Sequence, residues 1–168
     1  ETHAYHFNEM VHHLGDGSVD LGIAFEAKDH DDLESKRILE GNFVVLGSEN
    51  FNFSKKKLLL KDLEELPFVG IEGPLSEKLY SFFDKMKFKP NFITQTDSYL
   101  MAASYVKKGL GISVLDQISA SSLNSEKYIW ELDGAPSCDV YLVVPKTTTK
   151  SLVLENFIHF MNNYNYKL

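Results

Sequence analysis

The chain has 168 residues, with 17 Lys and Arg against 24 Asp and Glu, and a formal net charge of −7. Its 43% hydrophobic and 24% charged residues make an ordinary globular balance, which excludes a disordered or collagen-like chain. One cysteine, Cys138, rules out an intrachain disulfide, and apolar runs such as 141–144 fall far short of the ~20 residues a bilayer span needs.

In chain order, Phe7, Met10, Val11 and Leu14 carry the i, i+3, i+4, i+7 spacing of an amphipathic helix that runs into Gly15-Asp16-Gly17. Apolar runs at 21–25 and 43–46 have strand length. The segment 50–61, with Lys55-Lys56-Lys57, reads as a polar, solvated excursion ahead of a short helical turn at 62–66. A strand is expected at 68–71. Gly73-Pro74 and a capping Ser76 then precede a helix with Leu79, Phe82, Phe83 and Met86 on one face. After a strand at 92–94, Asp97 or Ser98 caps a helix carrying Tyr99, Ala102, Ala103 and Val106, and Gly109 stops it in a left-handed conformation. Strands at 112–115, 128–132 and 140–144 follow, and Leu154, Phe157, Ile158 and Met161 mark a closing helix. Near-continuous apolar strands alternating with helices describe an α/β protein whose sheets are covered on both faces. The chain starts directly at Glu1 to Phe7, with nothing ahead of it to pair the first sheet, so a preceding piece is expected.

Charge and motifs narrow the chemistry. An acidic chain repels phosphate backbones, and Arg37 is the only arginine, so direct binding to DNA is not expected. There is no G-x-S-x-G, no Walker loop, no G-x-G-x-x-G and no H-E-x-x-H. Gly109-Leu110-Gly111 follows a helix and precedes a strand, the reverse of the dinucleotide fingerprint, and reads as a helix stop with close backbone packing. Cys138 has no histidine near it in sequence. His3, His6, His12 and His13 crowd the first turns, but metal pairs on a helix favour i, i+4 spacing and His12 and His13 point to different sides. They read as surface histidines. No catalytic residue, metal or cofactor is assigned.

The stretch 91–117, NFITQTDSYLMAASYVKKGLGISVLDQ, is the informative one. In open α/β sheets, ligands bind beyond the carboxyl ends of the strands, where helix N-termini offer unpaired N–H groups. The hydroxyls of Thr94, Thr96 and Ser98 and the amide of Gln95 cluster at such an end. Capping alone accounts equally well for Asp97 or Ser98. The 68–71 strand leads into Glu72, Gly73 and Ser76, and the 21–25 strand ends at Phe25. These eight residues, Thr94, Gln95, Thr96, Ser98, Glu72, Gly73, Ser76 and Phe25, are the predicted ligand site, with the three strand ends sharing one cleft.

At these residues the chain resembles the effector-binding domain of LysR-type transcriptional regulators. LGDGSVDLGIA (14–24) is similar to that family's step from a leucine and glycine into Asp-Leu and two apolar residues. LLLKDLEELPF (58–68) resembles its approach to the second-lobe strand, and 98–115 its signature helix followed by Gly-Leu-Gly-Ile. The closing strand at 140–145 and helix at 151–164 sit where the family closes its domain.

The resemblance implies a two-lobed fold like type 2 periplasmic binding proteins, with a small-molecule effector between the lobes. Lobe one would be 1–40 with 146–168, incomplete at its N-terminus, and lobe two 41–145. A winged helix-turn-helix that contacts DNA, a linker helix, and the first strand and helix of lobe one would precede Glu1. Family members assemble as homodimers or homotetramers in the bacterial cytoplasm. Phe25 stands where relatives often carry a small polar residue, which narrows the cleft or favours an apolar ligand. Asp116 stands in place of the family's proline after Val114-Leu115. The leading expectation is therefore an effector-sensing regulatory module, with no enzyme activity and no membrane partner. The competing readings are a solute-binding protein serving a transporter, and an enzyme of similar fold, for which no catalytic constellation speaks.

Overall fold

A computed structural model describes residues 1–25, 30–51, 53–73, 75–123, 128–146 and 151–164. In chain order its elements are α1 (Phe7–Gly15), β1 (Gly22–Ala24), β2 (Leu33–Leu39), β3 (Phe43–Leu46), β4 (Lys57–Leu58), a 3-10 turn (Leu60–Leu63), β5 (Pro67–Ile71) and α2 (Ser76–Lys85). Then come β6 (Asn91–Thr96), α3 (Tyr99–Lys107), β7 (Ser113–Asp116), α4 (Gln117–Leu123), β8 (Ile129–Leu132), β9 (Val140–Pro145) and α5 (Leu152–Asn163). They fall into two compact units, 1–40 with 139–167, and 41–138. None of the helices described is long and apolar enough to cross a membrane.

The smaller unit holds a three-stranded sheet in the order β1-β9-β2, antiparallel throughout. α1 lays Met10 and Leu14 against Val143 and Leu33, with Phe7, Val11 and Tyr141 packed around them. This is the face that the helical spacing of those residues predicts. β2 was not foreseen. Its sequence LESKRIL has no apolar alternation, because it lies at the sheet edge and leaves Glu34, Lys36 and Arg37 in solvent. Charge on an edge strand also discourages pairing with another chain. α5 buries only Leu154, while Leu152, Val153, Phe157 and Phe160 are exposed.

In the larger unit β4, β8, β3 and β7 form one sheet, with β3 antiparallel to both β8 and β7. β5 and β6 pair in parallel. The two sets are joined by a parallel bridge between Phe68 and Ile112: Val69 N–H donates to the Ile112 carbonyl and Ile112 N–H to that of Pro67, each at 2.8 Å. β7, β5 and β6 thus run side by side in the same direction and bring their carboxyl ends to one edge. One face is covered by α3, whose Ala102, Ala103 and Val106 pack on Val69, Ile71, Val44 and Leu115. The other is covered by α2 through an aromatic cluster in which Phe83 lies 5.1 Å from Phe88 and 6.3 Å from Phe68, ring centre to ring centre.

The glycine pair between α3 and β7 acts as the sequence suggests. Gly109 has φ +76°, a conformation that L side chains rarely adopt, and its N–H bonds the Val106 carbonyl to end the helix. A side chain on Gly111 would strike the Pro67 carbonyl, so its absence lets β7 start against β5. The seven-residue α4, QISASSL, escaped prediction because serine-rich segments have weak helical preference.

Candidate functional site

Within the 41–138 unit, the strand ends meet at one corner. Ile71 of β5 is in register with Thr96 of β6, and the next N–H, that of Glu72, donates to the Thr96 carbonyl at 2.9 Å. Gly73 follows, and a β-carbon there would stand 3.2 Å from both the Tyr99 hydroxyl and its ring. Glycine therefore lets the β5–α2 loop lie against the first residue of α3. Glu72, Gly73, Thr96, Ser98 and Tyr99 form this corner.

The hydroxyls here do structural work. Ser98 Oγ accepts the Met101 N–H at 3.4 Å and caps α3. Thr96 Oγ1 accepts the Ser98 N–H at 3.1 Å, which fixes the turn from strand to helix. Ser76 does not cap α2. Leu75 holds that position, and the Ser76 hydroxyl donates to the Gly73 carbonyl at 2.8 Å, which steadies the loop from behind.

The three consecutive strand residues part company. A bulge between the Phe68–Phe92 and Val69–Thr94 pairs inserts Ile93 and shifts the alternation of β6 by one residue. Thr94 and Thr96 therefore share the α3 face with Val69 and Ile71. Gln95 faces the α2 side, where its Cγ lies against Gly70 and its side chain bonds the Tyr80 phenol, which in turn donates to the Ile71 carbonyl at 3.0 Å. Burial, the largest influence, raises the Tyr80 pKa. Thr94 lies half-buried two register pairs inward from Thr96. Phe25 belongs to the other unit, half-buried directly after β1.

Two further groups belong to this neighbourhood, and neither was in the predicted set. Asp116 ends β7 fully buried. Its Oδ1 accepts the Ser119 N–H at 2.8 Å, and its Oδ2 has no partner among the described residues. Tyr99 lies close enough to feel this carboxylate: burial first, then electrostatic interaction with Asp116 and with Cys138, push its phenol up to about 12. Tyr99 reads in sequence as one more apolar position on a helix face. The signal for Asp116 was its replacement of the family's proline. With Glu72 and Asp97 exposed at the same strand ends, the corner offers hydroxyls, backbone N–H groups and carboxylates. Such a set can hydrogen-bond a polar molecule.

This parallel-stranded architecture, with polar strand ends converging beside a helix start, defines a ligand-binding domain of the type 2 periplasmic-binding-protein kind. The LysR substrate binding domain model matches residues 1–165, and the chain belongs to that family. Membership makes it the effector-binding module of LysR-type regulators rather than the solute-binding component of a transporter.

Among solved structures, the regulatory domain of Synechocystis PCC6803 CcmR in complex with 2-PG is similar at 18% identity and TM-score 0.78, covering 94% of this chain and 78% of that one. The effector binding domain of QuiR in complex with shikimate is similar at 19% identity and TM-score 0.75, covering 95% and 78%. HinK, a LysR family transcriptional regulator from Pseudomonas aeruginosa, has 18% identity and TM-score 0.78, and this chain spans 58% of its length. At these identities the likeness speaks for the fold. No curated protein matches the chain in sequence.

Proposed function

We propose that this chain senses a small polar metabolite for a bacterial LysR-type transcriptional regulator, at the strand-end corner formed by Glu72, Gly73, Thr96, Ser98 and Tyr99, with Thr94 behind it. The observation that carries the reading is the convergence of β5, β6 and α3 on hydrogen-bonding groups. In this reading the two compact units stand for the two lobes, with β9 in the first rather than the second. Effector binding favours one arrangement of a homodimer or homotetramer, and only a difference in affinity between arrangements can drive that shift.

DNA contact falls to a winged helix-turn-helix preceding Glu1, in keeping with the net charge of −7 and the lone Arg37. The open edge of β1, with Ile23 exposed, and the exposed Leu152, Val153, Phe157 and Phe160 of α5 offer a surface on which further protein can pack. The protein acts in the cytoplasm and carries no enzymatic activity of its own.

The test is a thermal-shift screen of small hydroxylated and carboxylated metabolites, shikimate and 2-PG among them. A ligand of the native state raises Tm. A rise that is lost in Thr96→Ala supports the assignment; one that persists undiminished in Thr96→Ala and Tyr99→Phe refutes it.

A further inference from the structure

His12 and His13 are neighbours on α1, where the helical twist turns adjacent side chains about 100° apart. The helix ends just beyond them, and the chain brings a carboxylate back between the two. Asp16 N–H donates to the His12 carbonyl at 3.0 Å, and Asp16 Oδ2 lies 3.3 Å from His12 Nδ1 and 3.9 Å from His13 Nδ1. One donor atom from each of the three residues falls within 4.8 Å of the others. Ligands at ~2.1 Å from a tetrahedral metal stand about 3.4 Å apart, so small side-chain movements close the set.

Asp16 is an oriented carboxylate. Its Oδ1 accepts both the Ser18 N–H at 2.9 Å and the Ser18 hydroxyl at 2.6 Å, which leaves Oδ2 turned toward the imidazoles. His13 is steadied by the Tyr5 ring, 4.5 Å away centre to centre, and its Nδ1 stands 2.8 Å from the Ser18 hydroxyl, a bond the imidazole gives up when it turns that nitrogen to an ion. The site also sits at the C-terminus of α1, where the helix dipole favours a cation.

We propose that His12, His13 and Asp16 form a surface site for a divalent transition cation of the zinc class, with water filling the open positions. Two imidazoles and one carboxylate suit Zn²⁺ or Ni²⁺ over Mg²⁺, which takes oxygen ligands. Ser18 acts on the ion through Asp16, as an orienting partner.

The experiment is calorimetric titration of the full chain with Zn²⁺, with Mg²⁺ as a parallel arm. One Zn²⁺ per chain is expected, and no Mg²⁺. His12→Ala and Asp16→Asn each weaken Zn²⁺ binding at least tenfold, and His6→Ala leaves it unchanged. The His12 side chain is largely exposed, so His12→Ala retains its fold and decides the matter even where Asp16→Asn does not. Absence of Zn²⁺ binding overturns the proposal, as does binding that survives His12→Ala at full strength.

Discussion

The two units solve the problem of burying a sheet differently. In 41–138, α2 and α3 cover opposite faces of the parallel strands, and Phe68, Val69, Val106 and Ile112 are all but inaccessible. In the other unit, α1 covers the Val143 face of a small antiparallel sheet, while α5 presents Phe157, Phe160, Leu152 and Val153 to solvent. The contrast is one of enclosure: the first region covers its parallel strands on both faces and holds polar groups at their ends, while the second leaves apolar side chains of α5 exposed.

Substitutions sharpen this contrast. Phe68→Ala, in the aromatic cluster, should cost about 3–5 kcal/mol by urea unfolding. Phe160→Ala on α5 should stay within about 0.5 kcal/mol, as surface positions do. Equal losses at both sites would mean that α5 is buried and would erase the distinction. Ser98→Ala should cost about 1 kcal/mol through loss of the α3 cap, and Ser98→Asp should restore most of it.

A smaller effect separates the corner from the rest by pH. Tyr99 is neutral to higher pH in the folded chain than in the unfolded one, so its contribution is intact below pH 10 and is lost as pH rises toward about 12. The urea midpoint should therefore fall more steeply over that window in the wild type than in Tyr99→Phe. Parallel curves for the two would show that Tyr99 is not shielded from solvent.

Much of the fold was legible from periodicity. The apolar spacings at Phe7 to Leu14, Tyr99 to Val106 and Leu154 to Met161 fall inside helices, and that at Leu79 to Met86 does so except for Met86, which lies one residue past α2 and is exposed. β3 occupies the apolar run at 43–46. β2 was hidden because an edge strand needs no apolar alternation. The order of the strands was hidden too, since pairing is set by contacts remote in sequence.

At the strand-end corner, the residue types could be read from the sequence but not their directions. Strict alternation from Phe92 would set Thr94 and Thr96 on the α2 face and Gln95 on the α3 face. The bulge at Ile93 reverses this and sends Gln95 to Tyr80. No local signal in NFITQT marks that bulge. Asp116 was visible as a departure from the family pattern, but its buried, half-satisfied carboxylate emerges only once β7 is set beside β3 and β5.

Hydrogen–deuterium exchange with and without a metabolite that raises Tm tests the assignment most directly. Slowed exchange concentrated at 72–73 and 96–101 is the predicted result. Protection confined to α1, α5 or the β4–β8 edge, with those amides unchanged, would contradict it.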